Sequence, residues 1–400
     1  MWGIFAGCAL LGLAVAFAAN RILETRPDCY LDVQEKECTN FCYSIQPNGE
    51  LFLTFSGKVK NLSSKEQAII TDASITIEPD DILENGEVWA QLRNLSIESP
   101  PLNYWKAFML KPSAELNYQA SILIKGFSTE HFPFKEQLRI SLSFQYYGKN
   151  LIKWKRASFI FPRTLWQEKN NPPLATPKTN LKTIKVNGNL EVCPIRTRLL
   201  RPGDDMAEII ETYVKHLATP GDIVAIAESA MAIVQGRLQH ILDIKPGFWA
   251  KRLNKFFHFN SSLGSVYSMQ MAIQEVGLPR MLTGIIFGIL GRLIGRKGDF
   301  YRITGRKTAM IDDCAGTMPP FDKFVVLGPE APLETARQLK KQTGLEIAIV
   351  DVNDLQRVDI LGASDGIISS ELISALRDNP QGNDNEQTPL VLIKKEPFLR

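Results

Sequence analysis

Two pairs of aspartates follow apolar runs in the C-terminal half of the chain. The run LEIAIV leads into Asp351, with Asp354 close behind it, and AMI leads into Asp312 and Asp313. Such a run predicts a buried strand that delivers carboxylates to the edge of a sheet. Carboxylate oxygens suit Mg²⁺ or Mn²⁺, whose shell is usually completed by water and substrate phosphate. The four aspartates therefore predict a divalent-cation site, and solvated turns, in which Asp is common, are the competing interpretation.

A candidate anion contact lies in the same half of the chain. The apolar run IVAIA is followed by Glu228 and Ser229, which open a helix-like run that ends at Gly236 and Arg237. A guanidinium after glycine at such an edge suits a phosphate or a carboxylate, although most arginines are simply solvated. The chain has neither a P-loop nor a GxGxxG sequence, so any nucleotide would be held by a less familiar cradle.

Helices and strands alternate through this half of the chain. The stretch PGDDMAEIIETYVKHL offers Asp204 as a helix N-cap and Asp205 in the first turn, and its apolar residues fall on one helical face. A later helix ends at Gly344 and feeds the strand before Asp351. The alternation predicts a mixed α/β domain at 183–397.

Short runs with a period of two fill the first half of the chain. Between Leu51 and Pro162, β-branched or aromatic residues alternate with polar ones, and turn formers separate the runs. This pattern predicts an antiparallel β-sandwich of immunoglobulin-like architecture at 28–165. The proline-rich stretch EKNNPPLATPKT then predicts a linker at 166–182.

The N-terminus opens with an apolar run from Trp2 to Ala19. About 18 residues are just enough to cross a bilayer core as a helix, so we expect a single-pass membrane anchor at 1–20. Arg21 and Arg26 follow the run, which by the positive-inside rule places the C-terminal domains in the cytoplasm. The alternative is a cleaved signal peptide, for which a charged n-region is missing.

A second apolar segment, Leu282 to Gly295, is too short for another membrane span. Its sequence LTGIIFGILGRLIG is interrupted by glycines, which favours close helix packing, for example across a dimer interface. The alternative is a surface-lying element in which Arg292, Arg296 and Lys297 meet anionic lipid.

Overall composition excludes few classes of function. At 44% hydrophobic and 22% charged residues with a formal net charge of +3, the chain is ordinary globular material without a broad basic field. We therefore expect no nucleic-acid partner. Cys29, Cys38 and Cys42 cluster without the paired spacing of a structural zinc site.

The order of motifs in the C-terminal half resembles a known enzyme family. PIRTRLLRPGDDMAEII, GDIVAIAESAMAIVQGR, an aspartate turn, LGPEAPLETARQLKKQTGLEIAIVDVND and ASDG follow one another. Together they are similar to the coenzyme F(420):L-glutamate ligases, the γ-glutamyl ligases of deazaflavin cofactor synthesis. The resemblance covers about Pro194 to Ile393 and implies the family's own mixed α/β fold.

The resemblance implies an amide-forming reaction that depends on GTP and on Mg²⁺ or Mn²⁺. A small-molecule carboxylate would be activated as an acyl phosphate and attacked by the amino group of glutamate, in a protein that is usually a homodimer. The residues implied are Asp312 or Asp313, Asp351 and the neighbouring Asp354 for metal, and Glu228, Ser229, Gly236 and Arg237 for nucleotide or phosphate.

The chain departs from the family pattern at the strand-end aspartate. Val352-Asn353-Asp354-Leu355 stands where family members continue with Thr and a Gly-Arg pair. Two functions are therefore expected as alternatives. One is a membrane-anchored, GTP- and metal-dependent γ-glutamyl ligase. The other is a membrane scaffold that binds nucleotide or metal without turnover and whose β-sandwich recruits a partner.

Overall fold

The computed structural model describes residues 28–46, 50–78, 87–97, 104–125, 136–169, 184–186, 190–258, 261–352, 356–382 and 387–395. It has mixed α+β architecture with several sheets. The chain divides into two units. We call the first the β unit, within Met1–Thr176 and Lys245–Ile273, and the second the α/β unit, within Pro177–Ile244 and Gln274–Arg400.

The β unit is built from strands in which buried and exposed residues alternate. In β7, for example, the side chains of Leu116, Tyr118 and Ala120 are buried, whereas Glu115 and Asn117 between them are exposed. This alternation lets one face of a sheet meet the core while the other meets water. The strands are β1 (Leu31–Asp32), β2 (Thr39–Ile45), β3 (Leu51–Asn61), β4 (Ala68–Ile77), β5 (Glu87–Asn94), β6 (Phe108–Leu110), β7 (Glu115–Lys125), β8 (Gln137–Tyr147), β9 (Lys153–Pro162) and β10 (Gln167–Glu168).

These strands form two sheets that share one core. The first has the order β10-β2-β3-β7-β5 with β1 beside β3, and the second has the order β6-β4-β8-β9. All neighbours are antiparallel except the parallel pair β10 and β2. Ring centroids bridge the sheets at 5.3 Å between Phe55 and Phe161 and at 5.7 Å between Tyr118 and Phe144. Burying one such side chain contributes about 1.5–3 kcal/mol. The unit is a two-sheet sandwich, and the immunoglobulin-like classification stays a prediction.

Most of the helices lie in the α/β unit. The α-helices of the described residues are α1 (Met206–Tyr213), α2 (Glu228–Val234), α3 (Phe248–Leu253), α4 (Val266–Val276), α5 (Leu278–Leu293), α6 (Asp299–Thr304), α7 (Arg306–Ala309), α8 (Pro332–Thr343) and α9 (Ser369–Leu376).

The segment Lys245–Ile273 groups with the β unit, whereas the sequence predicted one continuous C-terminal domain. The hydroxyl of Tyr267 in α4 accepts a hydrogen bond of 2.9 Å from the backbone nitrogen of Ile152. The buried Asn254 donates to the backbone oxygen of Lys149 at 2.6 Å. These partners are about a hundred positions apart in the chain, which is why local sequence patterns do not reveal the grouping.

The α/β unit is organised around one sheet that is covered on both faces. Its strands have the order β11-β12-β18-β13-β16-β17, and β14 pairs with β15 separately. Alternate residues of the central strands enter two different cores, one containing helices α1, α2 and α8 and the other containing α9. The strands are β11 (Ile184–Val186), β12 (Leu190–Ile195), β13 (Ile223–Ala227), β14 (Leu238–His240), β15 (Phe324–Val326), β16 (Glu346–Val352), β17 (Val358–Ala363) and β18 (Leu390–Lys395).

The start of α1 differs by one residue from the predicted cap. Asp205, not Asp204, is the N-cap, and its carboxylate accepts from the backbone nitrogen of Ala207 at 2.8 Å. The carboxylate of Asp204 is held instead by the guanidinium of Arg198, at 2.7 and 2.8 Å, and by the backbone nitrogen of Arg201. Asp204, which the sequence predicted as the N-cap, therefore forms a bidentate ion pair instead of capping α1.

The glycines of α5 pack closely against α6. A Cβ on Gly284 would lie 2.5 Å from Thr304, and one on Gly288 would lie 3.1 Å from Phe300. Only glycine permits this approach, which agrees with the close helix packing expected for this segment. Within the part of the chain that the structure describes, no single helix is long and apolar enough to cross a bilayer. Helices α4 and α5 pass that test only as a pair, and they are bent by 113°.

Three of the sequence predictions concern residues that the structure does not describe. The expected anchor at 1–20 lies outside the described residues, as do Asp354 and all but the first few residues of the linker at 166–182.

Candidate functional site

Two parallel strands end together at one edge of the α/β sheet. β13 runs parallel to β16 with Ala227 opposite Val350, so the next residue of each chain segment, Glu228 or Asp351, lies at this edge. The neighbouring antiparallel strand places Asp359 opposite Asp351. The carboxyl end of parallel strands is the usual position of ligand sites in α/β sheets. Glu228, Asp351 and Asp359 are therefore neighbours at this end of the sheet.

Asp312 joins them from a different element. Its backbone forms an isolated bridge to Val326 of β15, with N–O distances of 2.8 and 3.0 Å in the two directions. Burial, together with the smaller effects of the charges of Asp351 and Asp313, raises the pKa of Asp312 to about 7. The bridge to Val326 therefore holds the backbone of a residue whose carboxyl group ionises poorly near neutral pH.

Glu228 is the most strongly perturbed carboxyl group at this edge. Burial, together with the smaller effects of the charges of Asp312, Asp351 and Asp359, raises its pKa to about 9, although Arg306 acts in the opposite direction. Burial and then Asp359 also raise the pKa of Asp351, which Arg357 opposes. We call Glu228, Asp312 and Asp351 the acid cluster.

The surroundings of the acid cluster oppose the ionisation of its carboxyl groups. Burial is the main reason why the pKa values of all three members are raised, and repulsion between neighbouring carboxylates adds to it. Asp359 beside the cluster forms an ion pair with Arg306. A bound cation would favour the ionised forms of these carboxyl groups. Strongly perturbed carboxyl groups at a sheet edge also mark a candidate functional site.

The donor set fits a divalent cation only in part. Among the described residues, no group of three or more His, Cys, Asp or Glu is arranged to hold one ion. Mg²⁺, however, is usually held by one or two carboxylates, with water and substrate phosphates supplying the remaining oxygens. Asp312 and Asp351 suit that role, because both are carboxyl groups whose ionised forms a bound cation would favour. Asp313 is buried, and its charge acts on the neighbouring Asp312.

The four residues predicted to contact nucleotide or phosphate do not share one environment. Glu228 belongs to the acid cluster, and a carboxyl group offers no positive charge to a phosphate. Ser229 lines a cavity. Gly236 has a positive φ of 69° just after α2, a conformation that favours glycine.

Arg237 is engaged by carboxylates. Its guanidinium pairs with Glu275 at 2.9 Å and with Glu330 at 3.1 Å, and its Nε donates to the backbone oxygen of Gly328 at 2.5 Å. Lys307 pairs with the same two glutamates, at 2.9 and 3.1 Å. In the structure Arg237 therefore links the elements around the site. A phosphate that bound to Arg237 would have to compete with these two glutamates.

A cavity of about 200 Å³ opens beside the acid cluster. Ala227 and Ser229, which flank Glu228 in the chain, are part of its wall. Ligand pockets of this kind combine apolar walls with a few polar groups that fix orientation. The cavity is lined by Thr197, Arg198, Leu199, Leu200, Ala227, Ser229, Ala230, Ile233, Gly316, Thr317, Met318, Phe321, Gln381, Gly382, Gln387, Thr388 and Pro389.

Two polar side chains in the cavity wall were not found from the sequence. Thr317 and Gln381 are each 8% exposed. Within the described residues, Thr317 Oγ1 and Gln381 Nε2 are buried without a hydrogen-bond partner. An unsatisfied buried polar atom costs about 1–3 kcal/mol, which a polar ligand would recover. Neither residue belongs to a recognisable motif, although Thr317 follows the aspartate turn closely.

Comparison with solved structures gives only weak partial similarities. The GAE domain of GGA2p from Saccharomyces cerevisiae is 11% identical, with 34% of this chain and 93% of that chain covered and a TM-score of 0.19. The putative ApaA protein from Bordetella pertussis is 10% identical, with 34% and 95% covered and a TM-score of 0.19. The CooA pilin subunit from enterotoxigenic Escherichia coli is 11% identical, with 36% and 100% covered and a TM-score of 0.19. No curated protein matches the chain.

A protein-family model gives a specific match to the unit that contains the site. Residues 194–378 match the family described as F420-0:Gamma-glutamyl ligase. The matched range contains the three members of the acid cluster and most of the cavity wall. It confirms the resemblance that the motifs of the C-terminal half indicated. The segment 194–378, somewhat less than half of the chain, is therefore similar to the γ-glutamyl ligase family.

Proposed function

We propose that the protein is a membrane-anchored γ-glutamyl ligase that joins a small-molecule carboxylate to L-glutamate at the expense of GTP. The observation that carries the proposal is the acid cluster beside a cavity with unsatisfied polar atoms, inside the segment that matches the ligase family. The apolar run Trp2–Ala19 would supply the anchor.

The reaction has two steps. A carboxylate oxygen of the acceptor substrate takes the γ-phosphoryl group of GTP, which releases GDP and leaves an acyl phosphate. The amino group of glutamate then attacks the acyl carbon, the bond to phosphate breaks, and the amide forms as the amine loses a proton. Charge on the transferring phosphoryl group is spread over its oxygens, so catalysis depends on positioning and electrostatic stabilisation.

Asp312 and Asp351 would hold Mg²⁺ or Mn²⁺, which when bound neutralises charge on the phosphates. Glu228, with its raised pKa, can keep a proton near neutral pH and release it when positive charge arrives. Thr317 and Gln381 offer a hydroxyl and an amide inside the cavity to orient a polar ligand. Because sites for drug-sized ligands measure about 300–1,000 Å³, a smaller cavity would take one part of a nucleotide or a small substrate.

Calorimetry of nucleotide binding to the full chain in detergent tests the proposal. GTP should bind in the presence of Mg²⁺ or Mn²⁺, and Asp351→Asn should weaken that binding at least about tenfold. Asp365→Asn is the matched control, because Asp365 is exposed and lies outside the acid cluster. Turnover is then followed as glutamate-dependent release of GDP and phosphate. A folded chain that binds neither GTP nor ATP would disprove the ligase proposal.

One observation favours the scaffold as a second candidate. The family's Thr after the strand-end aspartate is replaced by the apolar Val352, and Arg237 is held by Glu275 and Glu330. A scaffold of this kind would bind nucleotide with metal but show no glutamate-dependent release of phosphate. A topology reporter fused after Arg400 tests the cytoplasmic orientation that GTP chemistry requires, since a reporter outside the membrane excludes the enzyme.

A further inference from the structure

The face of α5 that points away from α6 is apolar and exposed. Leu293 is 78% exposed and Ile294, directly after the helix, is 73% exposed. At about 100° per residue, the apolar positions cover roughly 160° of the helix circumference, opposite the glycines that contact α6. A helix normally turns its apolar face inward. The exposed apolar residues are Ile286, Phe287, Ile289, Leu290, Leu293 and Ile294.

This apolar face lies in a segment with only positive charge. From Val276 to Gly298 the chain has four basic residues and no aspartate or glutamate. Three of the basic residues, Arg292, Arg296 and Lys297, cluster around the exposed C-terminal end of α5. Arg296 contacts Asp299 at 3.3 Å but remains 63% exposed. Arg292 and Lys297 are exposed, and neither forms an ion pair with a described carboxylate.

The charges favour a lipid surface over a second copy of the chain. A second copy placed on this face would bring its own four basic residues and no carboxylate from the same segment, so like charges would meet. A bilayer that contains anionic lipid offers hydrocarbon to the apolar residues and phosphate to the cations. Large apolar side chains beside flexible basic ones are the arrangement that suits the boundary between acyl chains and head groups.

We propose that α5 is a monotopic membrane-docking helix that lies in the interface of an anionic bilayer. The exposed apolar residues between Ile286 and Ile294 enter the acyl boundary to a depth of about 5–10 Å. Arg292, Arg296 and Lys297 contact lipid phosphates. This contact belongs to the α/β unit and is additional to the expected anchor at Trp2–Ala19. It does not depend on ligase activity.

Bromolipid quenching of an introduced tryptophan tests the docking. The full chain with Leu293→Trp is reconstituted into phosphatidylcholine vesicles with or without phosphatidylglycerol, each with brominated acyl chains. The control is Ile368→Trp, because Ile368 is an exposed apolar residue of the same unit with Asp365 and Glu371 nearby in the chain. The signal of the native tryptophans is subtracted with the unsubstituted chain.

We expect the tryptophan at position 293 to be quenched, increasingly so with phosphatidylglycerol, and the one at 368 to be quenched much less. Arg292→Glu with Lys297→Glu should shift the docking equilibrium at least about tenfold towards the undocked state, because each basic residue near an anionic surface contributes about 1 kcal/mol. Both positions are exposed, and a thermal melt checks that the variants fold.

Three results would overturn the proposal. The first is equal quenching at positions 293 and 368 in anionic vesicles. The second is a stable dimer that Leu293→Glu dissociates, measured by mass photometry in detergent, which would show that a second copy covers the face. The third is quenching that phosphatidylglycerol does not increase, which would contradict the role of the basic residues.

Discussion

Glu228 and Asp312 are carboxyl groups whose ionisation is opposed by the fold around them. Burial is the main cause in both, and the charges of neighbouring aspartates add to it. In the unfolded chain these groups return to ordinary carboxyl behaviour. Their protonation is therefore coupled to folding and to the binding of positive charge.

Stability should fall as the pH rises through the neutral range. The pKa of Glu228 is raised from 4.5 to about 9 in the folded chain, so between these values the folded state binds a proton that the unfolded state has lost. The stabilisation is complete below the unfolded pKa and is lost as the pH approaches about 9. One such group lowers the free energy of unfolding by up to about 1.4 kcal/mol per pH unit. Urea unfolding between pH 5 and 9, without divalent cations, measures the slope.

Glu228→Gln should flatten this slope, since glutamine has no proton to lose. Glu334→Gln is the matched control, because Glu334 is an exposed glutamate on α8. A slope that both variants leave unchanged would show that Glu228 titrates normally.

Cation binding should release protons at pH 7. The acid cluster holds carboxyl groups that ionise poorly, and a divalent cation favours their ionised forms. Calorimetry of Mn²⁺ binding in two buffers with different ionisation enthalpies gives the number of protons released. Asp312→Asn should weaken Mn²⁺ binding about 10- to 100-fold, whereas Asp365→Asn should not. Equal binding heats in the two buffers would contradict proton release.

Two members of the acid cluster were already candidate site residues in the sequence. Asp312 and Asp351 were found because each follows an apolar run that forms a buried strand or bridge. The position of Glu228 beside them depends on the parallel register of β13 and β16, which connects residues more than a hundred positions apart. A sequence pattern carries no register of that kind. The metal set of Asp312, Asp313, Asp351 and Asp354 stays a prediction.

Among the elements, the contact between β17 and α8 leaves no space for a side chain. A Cβ on Gly362 would lie 2.5 Å from the backbone nitrogen of Leu333 and would also collide with Pro332. Backbone atoms cannot move aside as a flexible side chain can. Gly362 therefore determines how closely the helix approaches the strand that carries Asp359.

Gly362→Ala should lower the free energy of unfolding by about 1–3 kcal/mol, because overpacking forces the backbone to shift. Gly247→Ala is the control, since a Cβ there would meet its nearest neighbour at an ordinary 3.5 Å. Urea unfolding compares the two. Equal stability of both variants would mean that α8 relaxes without cost.

The sequence predicts the helices and strands themselves better than it predicts which groups they pair or pack with. The period of two in β7 and β8 and the continuous apolar run of β13 predicted their strands. The N-cap of α1 was predicted one residue early, because the ion pair of Arg198 with Asp204 lies outside the reach of a capping rule.

At the scale of the whole molecule, the range that matches the ligase family does not coincide with one continuous unit. Lys245–Ile273 lies within the matched range 194–378 but groups with the β unit. A fragment that begins at Thr183 lacks Ile152, Tyr147 and Lys149, which contact this segment.

Such a fragment should lose protection in the segment around Tyr267 and Asn254. Hydrogen exchange measures this directly against the full chain, and amides from 248 to 273 should exchange at least about tenfold faster in the fragment, as the partners of a locally stable unit are missing. Amides of β13 and β16 serve as the internal control. Equal protection of 248–273 would show that the segment is stable without the sandwich.

The insertion of Lys245–Ile273 into the β unit also has a consequence for synthesis on the ribosome. The sandwich strands end at Glu168, yet the β unit is complete only when Ile273 has emerged. Strand β13 emerges before that point and pairs with β16 and β18, the latter ending at Lys395. The apolar strand β13 therefore stays unpaired while more than a hundred further residues are synthesised, among them the segment Lys245–Ile273 that completes the β unit. The order of these segments in the chain therefore requires that β13 be protected during translation.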